Sequence, residues 1–494
     1  MNPDYFDLAR ALMPETSLII GALVILGFDL VRGRGRPLDA RLQAAVLLGS
    51  LAIIAAAWNT VRLGVPGPAF GAVMNLDVLG LMTRLGVLLL ALLTLSAMPG
   101  VVRLRHPVEF VAVMLLATCG FTLMAVAQQL LLVFLAIELA SLSLYILAGF
   151  DKTRPESAEA GLKYFLFGGM SAAFLLFGFS LLYGLTGSIE LPVIARALHG
   201  GDGGPLLLVA LVMIVVAFGF KAAAAPFHLW APDVYEGAPP SSAALIASAS
   251  KLAGVAVFAR LLWPGLAGAS GDFFALFSEP GWLTALAAIG GASLLLGNLA
   301  ALAQTSVRRL LAYSAIGHAG VMVLGVMVAG RSGVGIAPLF YYATTYGLAT
   351  VGAFGVIAAI DANGGGCQRI TDLAGLHRRS PLLAGCLLVF FLSLAGVPPL
   401  AGFFGKFVVF AGALQAGGIA SAVGVLALAA IAMSAVALYY YLVVLKQAWV
   451  TPVNPARAGR IAVPVGAAFT LVVTAALLLA LGLFPSVVLD FFNR

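Results

Sequence analysis

The chain has 494 residues, of which 62% are hydrophobic and only 10% charged, with a mean hydropathy of +1.08 and a formal net charge of +7. A soluble globular chain carries about 25% charged residues, so soluble fold classes are excluded and a polytopic membrane protein is expected. The apolar runs are about 20 residues long without period-two alternation, which predicts spanning helices and excludes barrel strands.

The N-terminus, MNPDYFDLARALMPE, is acidic and lacks the basic region of a signal peptide, so the first apolar helix is expected to stay in place. Fourteen spans are predicted, at about 13–32, 42–63, 77–98, 107–127, 130–150, 158–185, 204–230, 240–263, 281–303, 308–329, 334–360, 381–417, 419–446 and 461–486. With the N-terminus outside, the inside connections carry Arg32, Arg34, Arg36, Arg41, Arg103, Arg105, Lys152, Arg154, Arg308, Arg309, Arg369, Arg378, Arg379, Lys446, Arg457 and Arg460. The outside segments carry only Arg10, Arg62, Arg196, Arg331 and Arg494. This positive-inside asymmetry fits fourteen spans with both termini outside, and it explains the net charge without a nucleic-acid partner. The longest connections, near 186–203 and 361–380, leave no room for a soluble catalytic module.

Cys119, Cys367 and Cys386 are scattered and form no CxxC pair, which reads as apolar filler and excludes an iron–sulfur, haem or zinc signature. No P-loop or post-strand GxGxxG supports nucleotide binding. His106, His199 and His377 fall in connections.

Six basic residues remain within the predicted spans: Arg84, Lys163, Lys221, Lys251, Arg260 and Lys406. The chain has only six lysines, and four of them are in this set, whereas arginine dominates the connections. Lysine exchanges its proton readily when buried, while arginine stays charged, so this segregation points to proton handling. Glu138, in QQLLLVFLAIELASLSLYILAGF, is the natural ion-pair partner for one of these lysines. Arg260 is expected to snorkel from a span end, and Arg84 to pair with Asp77. His228 and His318 also fall within spans and titrate near neutrality, which suits a relay.

Two spans are interrupted. FGFKAAAAPFHLWAP places Pro226 five residues after Lys221, and LSLAGVPPLAGFFGK places Pro398, Pro399 and three glycines just before Lys406. They are the seventh and twelfth spans, an odd offset, so the two run in opposite directions. That predicts inverted five-helix repeats, helices 4–8 and 9–13, with Lys221 matching Lys406 and Glu138 matching His318. The expected organisation is one all-α polytopic transmembrane domain over 1–494. It divides into three N-terminal helices (1–106), a first repeat (107–263), a second repeat (281–446) and a last helix (461–486). Lys221 precedes its break and Lys406 follows its own, which predicts opposite helix-dipole environments for the two ammonium groups.

The run FGFKAAAAPFHLWAPDVYEGAPPSSAALIASASKLAGVAVFARLL resembles the seventh and eighth helices of the antiporter-like membrane subunits of respiratory complex I, the NADH-quinone oxidoreductase. SVRRLLAYSAIGHAGVM, YYATTYGLATVGAFGVI and GVPPLAGFFGKFVVF are most similar to the N-type members of that bacterial family. The resemblance spans about residues 10–485. It implies a proton-translocating subunit in which Glu138, Lys163, Lys221, Lys251 and Lys406 form the proton path. Glu138 with Lys221 would be the coupling pair, Lys251 the central relay, Lys406 the exit-side lysine, and His228 and His318 auxiliary groups. It also implies no cofactor in this chain, with flavin and iron–sulfur clusters in partner subunits, and neighbouring antiporter-like and small membrane subunits as partners. The rival readings are a D-type subunit of a multi-subunit cation/proton antiporter and a structural spacer.

Overall fold

A computed structural model of the chain describes residues 5–33, 35–71, 73–101, 104–198, 204–272, 274, 281–331, 333–363, 366–453 and 459–493. Arg34, Arg103, Arg457 and Arg494 of the inside and outside sets, and His199, lie outside the described residues.

Among the described residues, 13 helical segments are long and apolar enough to cross a membrane. The first three are α1 (Met13–Gly33), α2 (Leu38–Leu63) and α3 (Val78–Ser96). A short antiparallel pair, β1 (Gly67–Ala69) and β2 (Met74–Leu76), connects α2 to α3. Next come α4 (Pro107–Val126), α5 (Leu130–Ala148), α6 (Pro155–Thr186) and α7 (Gly204–Ala222). The short helix α8 (Trp230–Gly237) follows the first break. The segment Pro240–Gly265 counts as one span but divides into α9 (Pro240–Ala247) and α10 (Ala249–Arg260). The remaining long helices are α11 (Trp282–Leu302), α12 (Val307–Val328), α13 (Ala337–Ala362), α16 (Ala422–Trp449) and α17 (Val465–Leu483). Between α13 and α16 lie two shorter apolar helices, α14 (Pro381–Ala395) and α15 (Ala401–Gly417), where the sequence predicts one interrupted span.

Side-chain oxygens start several helices. Asp77 caps α3 by accepting from Gly80 N at 2.8 Å, and Ser306, Ser380 and Ser421 cap α12, α14 and α16 in the same way. Pro240–Gly265, α12 and α13 are buried along almost their whole length although they carry Lys251, Arg260, Arg308, Arg309 and His318, whereas the more apolar α16 faces largely outward, as α1 does. One continuous cluster of buried apolar side chains runs from Leu18 on α1 to Leu478 on α17. Small residues let the central helices approach closely, as at Gly297, where a Cβ would come within 2.4 Å of the Gly317 amide. That contact fixes α11 against α12 one residue before His318.

Candidate functional site

The first polar centre forms where α7 ends. Lys221 lies in the last turn of α7, which stops at Ala222 because Ala223 turns left-handed at φ +57°. The chain then passes through a turn to α8, and the Ala225–Pro226 bond within it is cis. The backbone groups freed there find partners. Ala224 N donates to Gly219 O at 2.8 Å, Ala225 N donates to Ser293 Oγ on α11 at 2.8 Å, and the Trp230 indole donates to Phe220 O at 3.1 Å. Lys221 Nζ donates to Ser141 Oγ on α5 at 3.1 Å. Glu138, one turn earlier on α5, lines the same small cavity as Ser141, Tyr145, Ser171 and Lys221. The expected Glu138–Lys221 ion pair is therefore not closed: no salt bridge within 4.0 Å joins them, and the serine holds the ammonium instead.

The Lys221 stem lies against α10, since a Cβ on Gly254 would meet Lys221 Cγ at 3.4 Å. One turn before Gly254 is Lys251, only 2% exposed. Its ammonium donates to Ala315 O on α12 at 2.7 Å and lies 5.6 Å from the centre of the Tyr346 ring. A third break stands beside it. Ser248 leaves helical geometry at φ −113°, ψ −85°, and its hydroxyl bonds back to Ala244 O at 2.6 Å. Neither proline nor glycine marks this break in the sequence. The Ser-rich run before Lys251 is the only signal, because a serine bonded to the carbonyl four residues earlier bends a helix.

His318, on α12, is held between two tyrosines. Nδ1 is 2.6 Å from the Tyr342 hydroxyl on α13, and Nε2 is 3.3 Å from the Tyr441 hydroxyl on α16. Tyr346 packs on the same imidazole with ring centres 4.7 Å apart, so one tyrosine touches both Lys251 and His318. Tyr441 also hydrogen-bonds Ser314, and Tyr440 donates to Asn298 Oδ1 at 3.1 Å. His318, Tyr342, Asn298 and Ser434 line a second small cavity with Lys406.

Lys406 departs from its expected environment. α14 ends at Ala395, Gly396 turns at φ +87°, and the chain passes the cis Pro398–Pro399 bond before α15 begins. Lys406 follows the break in sequence, yet its ammonium folds back to donate to Ala395 O at 2.9 Å. A helix C-terminus is the negative end of the helix dipole and presents free carbonyls. Lys221 and Lys406 thus both sit at the C-terminal ends of half-helices, not at opposite ends.

Lys163 and His228 stand apart from this row. Lys163 is 37% exposed, and its ammonium is 2.6 Å from Glu159 and 2.6 Å from Asp233. His228 is buried in the turn between α7 and α8, and its Nδ1 has no partner among the described residues. The two arginines also differ from expectation. Arg84 pairs with Glu15 on α1 at 2.9 Å, both almost fully buried. Arg260 does not snorkel; it forms a two-pronged pair with Asp77 at 2.8 and 2.6 Å. Among the described residues no group of three or more His, Cys, Asp or Glu side chains is placed to hold a metal ion.

Residues 127–432 match the family described as NADH:quinone oxidoreductase/Mrp antiporter, TM. NADH-quinone oxidoreductase subunit N 2 of Acidobacterium capsulatum is 49% identical, over 99% of this chain and 99% of its own length. A chain of respiratory complex I from Thermus thermophilus with bound aureothin is 36% identical with a TM-score of 0.79, over 97% of this chain and 98% of that one. A chain of the Mrp complex from Dietzia sp. is 21% identical with a TM-score of 0.79, over 98% and 96%, a likeness of fold.

Proposed function

The chain belongs to the NADH:quinone oxidoreductase/Mrp antiporter membrane-subunit family, and we propose that it moves protons along the row Glu138, Lys221, Lys251, His318, Lys406. It is a proton-translocating, multi-pass membrane subunit of NADH-quinone oxidoreductase, working beside the other subunits of the bacterial inner-membrane complex. The oxidation of NADH and its flavin and iron–sulfur chemistry belong to those partners. The 49% identity over the full chain favours this reading over the cation/proton antiporter, whose likeness at 21% is one of fold.

The observation that carries the reading is the continuity of the buried row. Lys221 packs on the helix that bears Lys251. Lys251 reaches α12 three residues from His318, and His318 shares a cavity with Lys406. Hydroxyls stand at two of these groups: Ser141 at Lys221, and Tyr342 and Tyr441 at His318. A hydroxyl both donates and accepts, so each can pass a proton between basic nitrogens. In this reading Glu138 and Lys221 close into an ion pair in one state and open, as here, in another. The change in field then moves the proton on Lys251. Moving one charge through 100 mV takes about 2.3 kcal/mol. A roughly hundredfold change in a lysine's proton affinity, about 2.8 kcal/mol, is of the size one such step requires. Lys163 acts at the edge of the path and His228 at the first break.

The two breaks support the inverted repeat, because each carries a buried lysine at the end of its first half-helix, Lys221 by its place in the last turn and Lys406 by its bond to Ala395 O. Counting α14 and α15 as one interrupted span, with both termini outside, gives fourteen spans and keeps the arginine asymmetry. The test is Lys251→Met in the assembled complex in sealed membrane vesicles. Proton uptake per NADH oxidised should fall; an undiminished yield would leave the chain a spacer.

A further inference from the structure

The short helix α8 follows directly on the Lys221 break, and it is gripped from two sides. On one side is α6. Tyr164 stacks on Trp230, the first residue of α8, with ring centres 4.3 Å apart and planes within 9°. Lys163 Nζ donates to Asp233 Oδ2 at 2.6 Å. On the other side is the first turn of α12. Arg309 Nη1 donates to Asp233 Oδ1 at 2.7 Å and to Glu236 Oε2 at 3.1 Å. Arg308, only 4% exposed, donates to Glu236 O at 3.0 Å near the C-terminus of α8, and it also pairs with Asp361 at the end of α13.

Isolated ion pairs at a protein surface contribute little. This group differs because it is a network of charges, one of them buried, and because it grips one short helix by side chains and backbone together. Both ends of α8 lead to the proton row. At its N-terminal end the Trp230 indole holds Phe220 O, the carbonyl next to Lys221. Beyond its C-terminal end, α12 carries Ala315, whose carbonyl receives the Lys251 ammonium, and His318.

We propose that Arg308 and Arg309 are positioning residues that make α8 a mechanical link between the Lys221 break and the helix on which Lys251 and His318 depend. Asp233 is the shared element. It is divided between Lys163 on α6 and Arg309 on α12, so a shift of α8 toward one helix is a shift away from the other. Opening at Lys221 is thereby felt at Ala315 without any direct contact between the two lysine ammonium groups. The link rests on the proton-relay reading above.

The test compares proton uptake per NADH oxidised, in vesicles carrying the whole complex, for Arg309→Gln, Arg309→Lys, Lys251→Met and the double variant K251M/R309Q. R309Q should lower the yield toward that of K251M, R309K should keep most of it, and the double variant should lose no more than K251M alone, since both disable one step. An unchanged yield in R309Q beside a lowered yield in K251M overturns the link and leaves the relay standing. An unchanged yield in K251M removes the relay and the link with it. Should R309Q fail to enter the complex, Glu236→Gln takes its place, because it removes one of the two carboxylates on Arg309. An intermediate yield is then expected, and a wild-type yield overturns the link. Fewer assembled complexes with a normal yield from each would give the arginines a folding role only, and also overturns it.

Discussion

The Lys406 ammonium reaches back across a helix break to the carbonyl of Ala395, 2.9 Å away, and so caps the half-helix that precedes it. Gly396 makes this possible. Its φ of +87° turns the chain at the helix end, and a Cβ there would stand 3.0 Å from Lys406 Cδ and 3.4 Å from its Nζ. Gly396→Ala should therefore do two things. It should destabilise the turn by roughly 1–2 kcal/mol, the cost of a left-handed residue that is not glycine. It should also push the lysine off its carbonyl. Proton uptake per assembled complex should fall more than the amount of complex does. A variant that only lowers assembly, with normal uptake, would separate the turn from the relay.

The Lys221 contact gives a second expectation. Lys221 is 7% exposed and its ammonium bonds Ser141 at 3.1 Å, while Glu138 is in the same cavity but unpaired with it. Hydrogen bonds to charged groups contribute about 1.5–3 kcal/mol. Ser141→Ala should remove that term and lower the rate of proton uptake by about tenfold or more, since about 1.4 kcal/mol on a barrier is tenfold in rate. Ser141→Thr keeps the hydroxyl and should retain most of the rate. Quenching of a pH-sensitive dye in vesicles reads both, and an S141A rate equal to wild type would show that the serine does not hold the proton site.

How much of this was legible in the sequence depended on whether the signal was local. Pro226 and the Pro398–Pro399 pair are local breakers, so both interrupted spans could be read directly. The break at Ser248 has no proline or glycine, and only a serine bond back to Ala244 marks it. The arginine partners failed for a geometric reason. Asp77 and Arg84 are seven residues apart, about 10 Å along a helix, which makes sequence nearness a poor guide to contact. The folded chain gives Asp77 to Arg260 from 183 positions away and gives Arg84 to Glu15. The tyrosines on His318 are also distant in sequence, 24 and 123 positions away, and no local pattern announces them. The opposite fields expected for Lys221 and Lys406 assumed that an ammonium stays near its own backbone, whereas a lysine side chain is long enough to turn back across a break.

The two hydroxyls on His318 should not count equally. Tyr342 is 2.6 Å from Nδ1 and lines the cavity that contains Lys406, whereas Tyr441 is 3.3 Å from Nε2 and shares its hydroxyl with Ser314. Substitution by phenylalanine keeps the ring and its packing while deleting only the hydroxyl. Tyr342→Phe should slow proton uptake severalfold and Tyr441→Phe by less, with similar amounts of complex in both. The reverse order would place the path through α16 and Ser314 instead of toward Lys406.

The Arg84–Glu15 pair allows a test of the three N-terminal helices independent of the proton row. Both side chains are almost fully buried, at 1% and 3% exposed, and the pair joins α3 to α1. Arg84 also donates to the carbonyls of Thr122 and Ala11. Removing one partner of a buried pair costs about 3–5 kcal/mol, because the other charge is left uncompensated, while replacing both by apolar groups is often nearly neutral. Glu15→Gln should therefore sharply reduce the amount of chain found in the complex, and Glu15→Leu with Arg84→Met should recover much of it. Proton uptake per assembled complex should stay near wild type in the double variant, since neither residue touches Lys221, Lys251, His318 or Lys406. A double variant that assembles normally but no longer takes up protons would place this buried pair on the path itself.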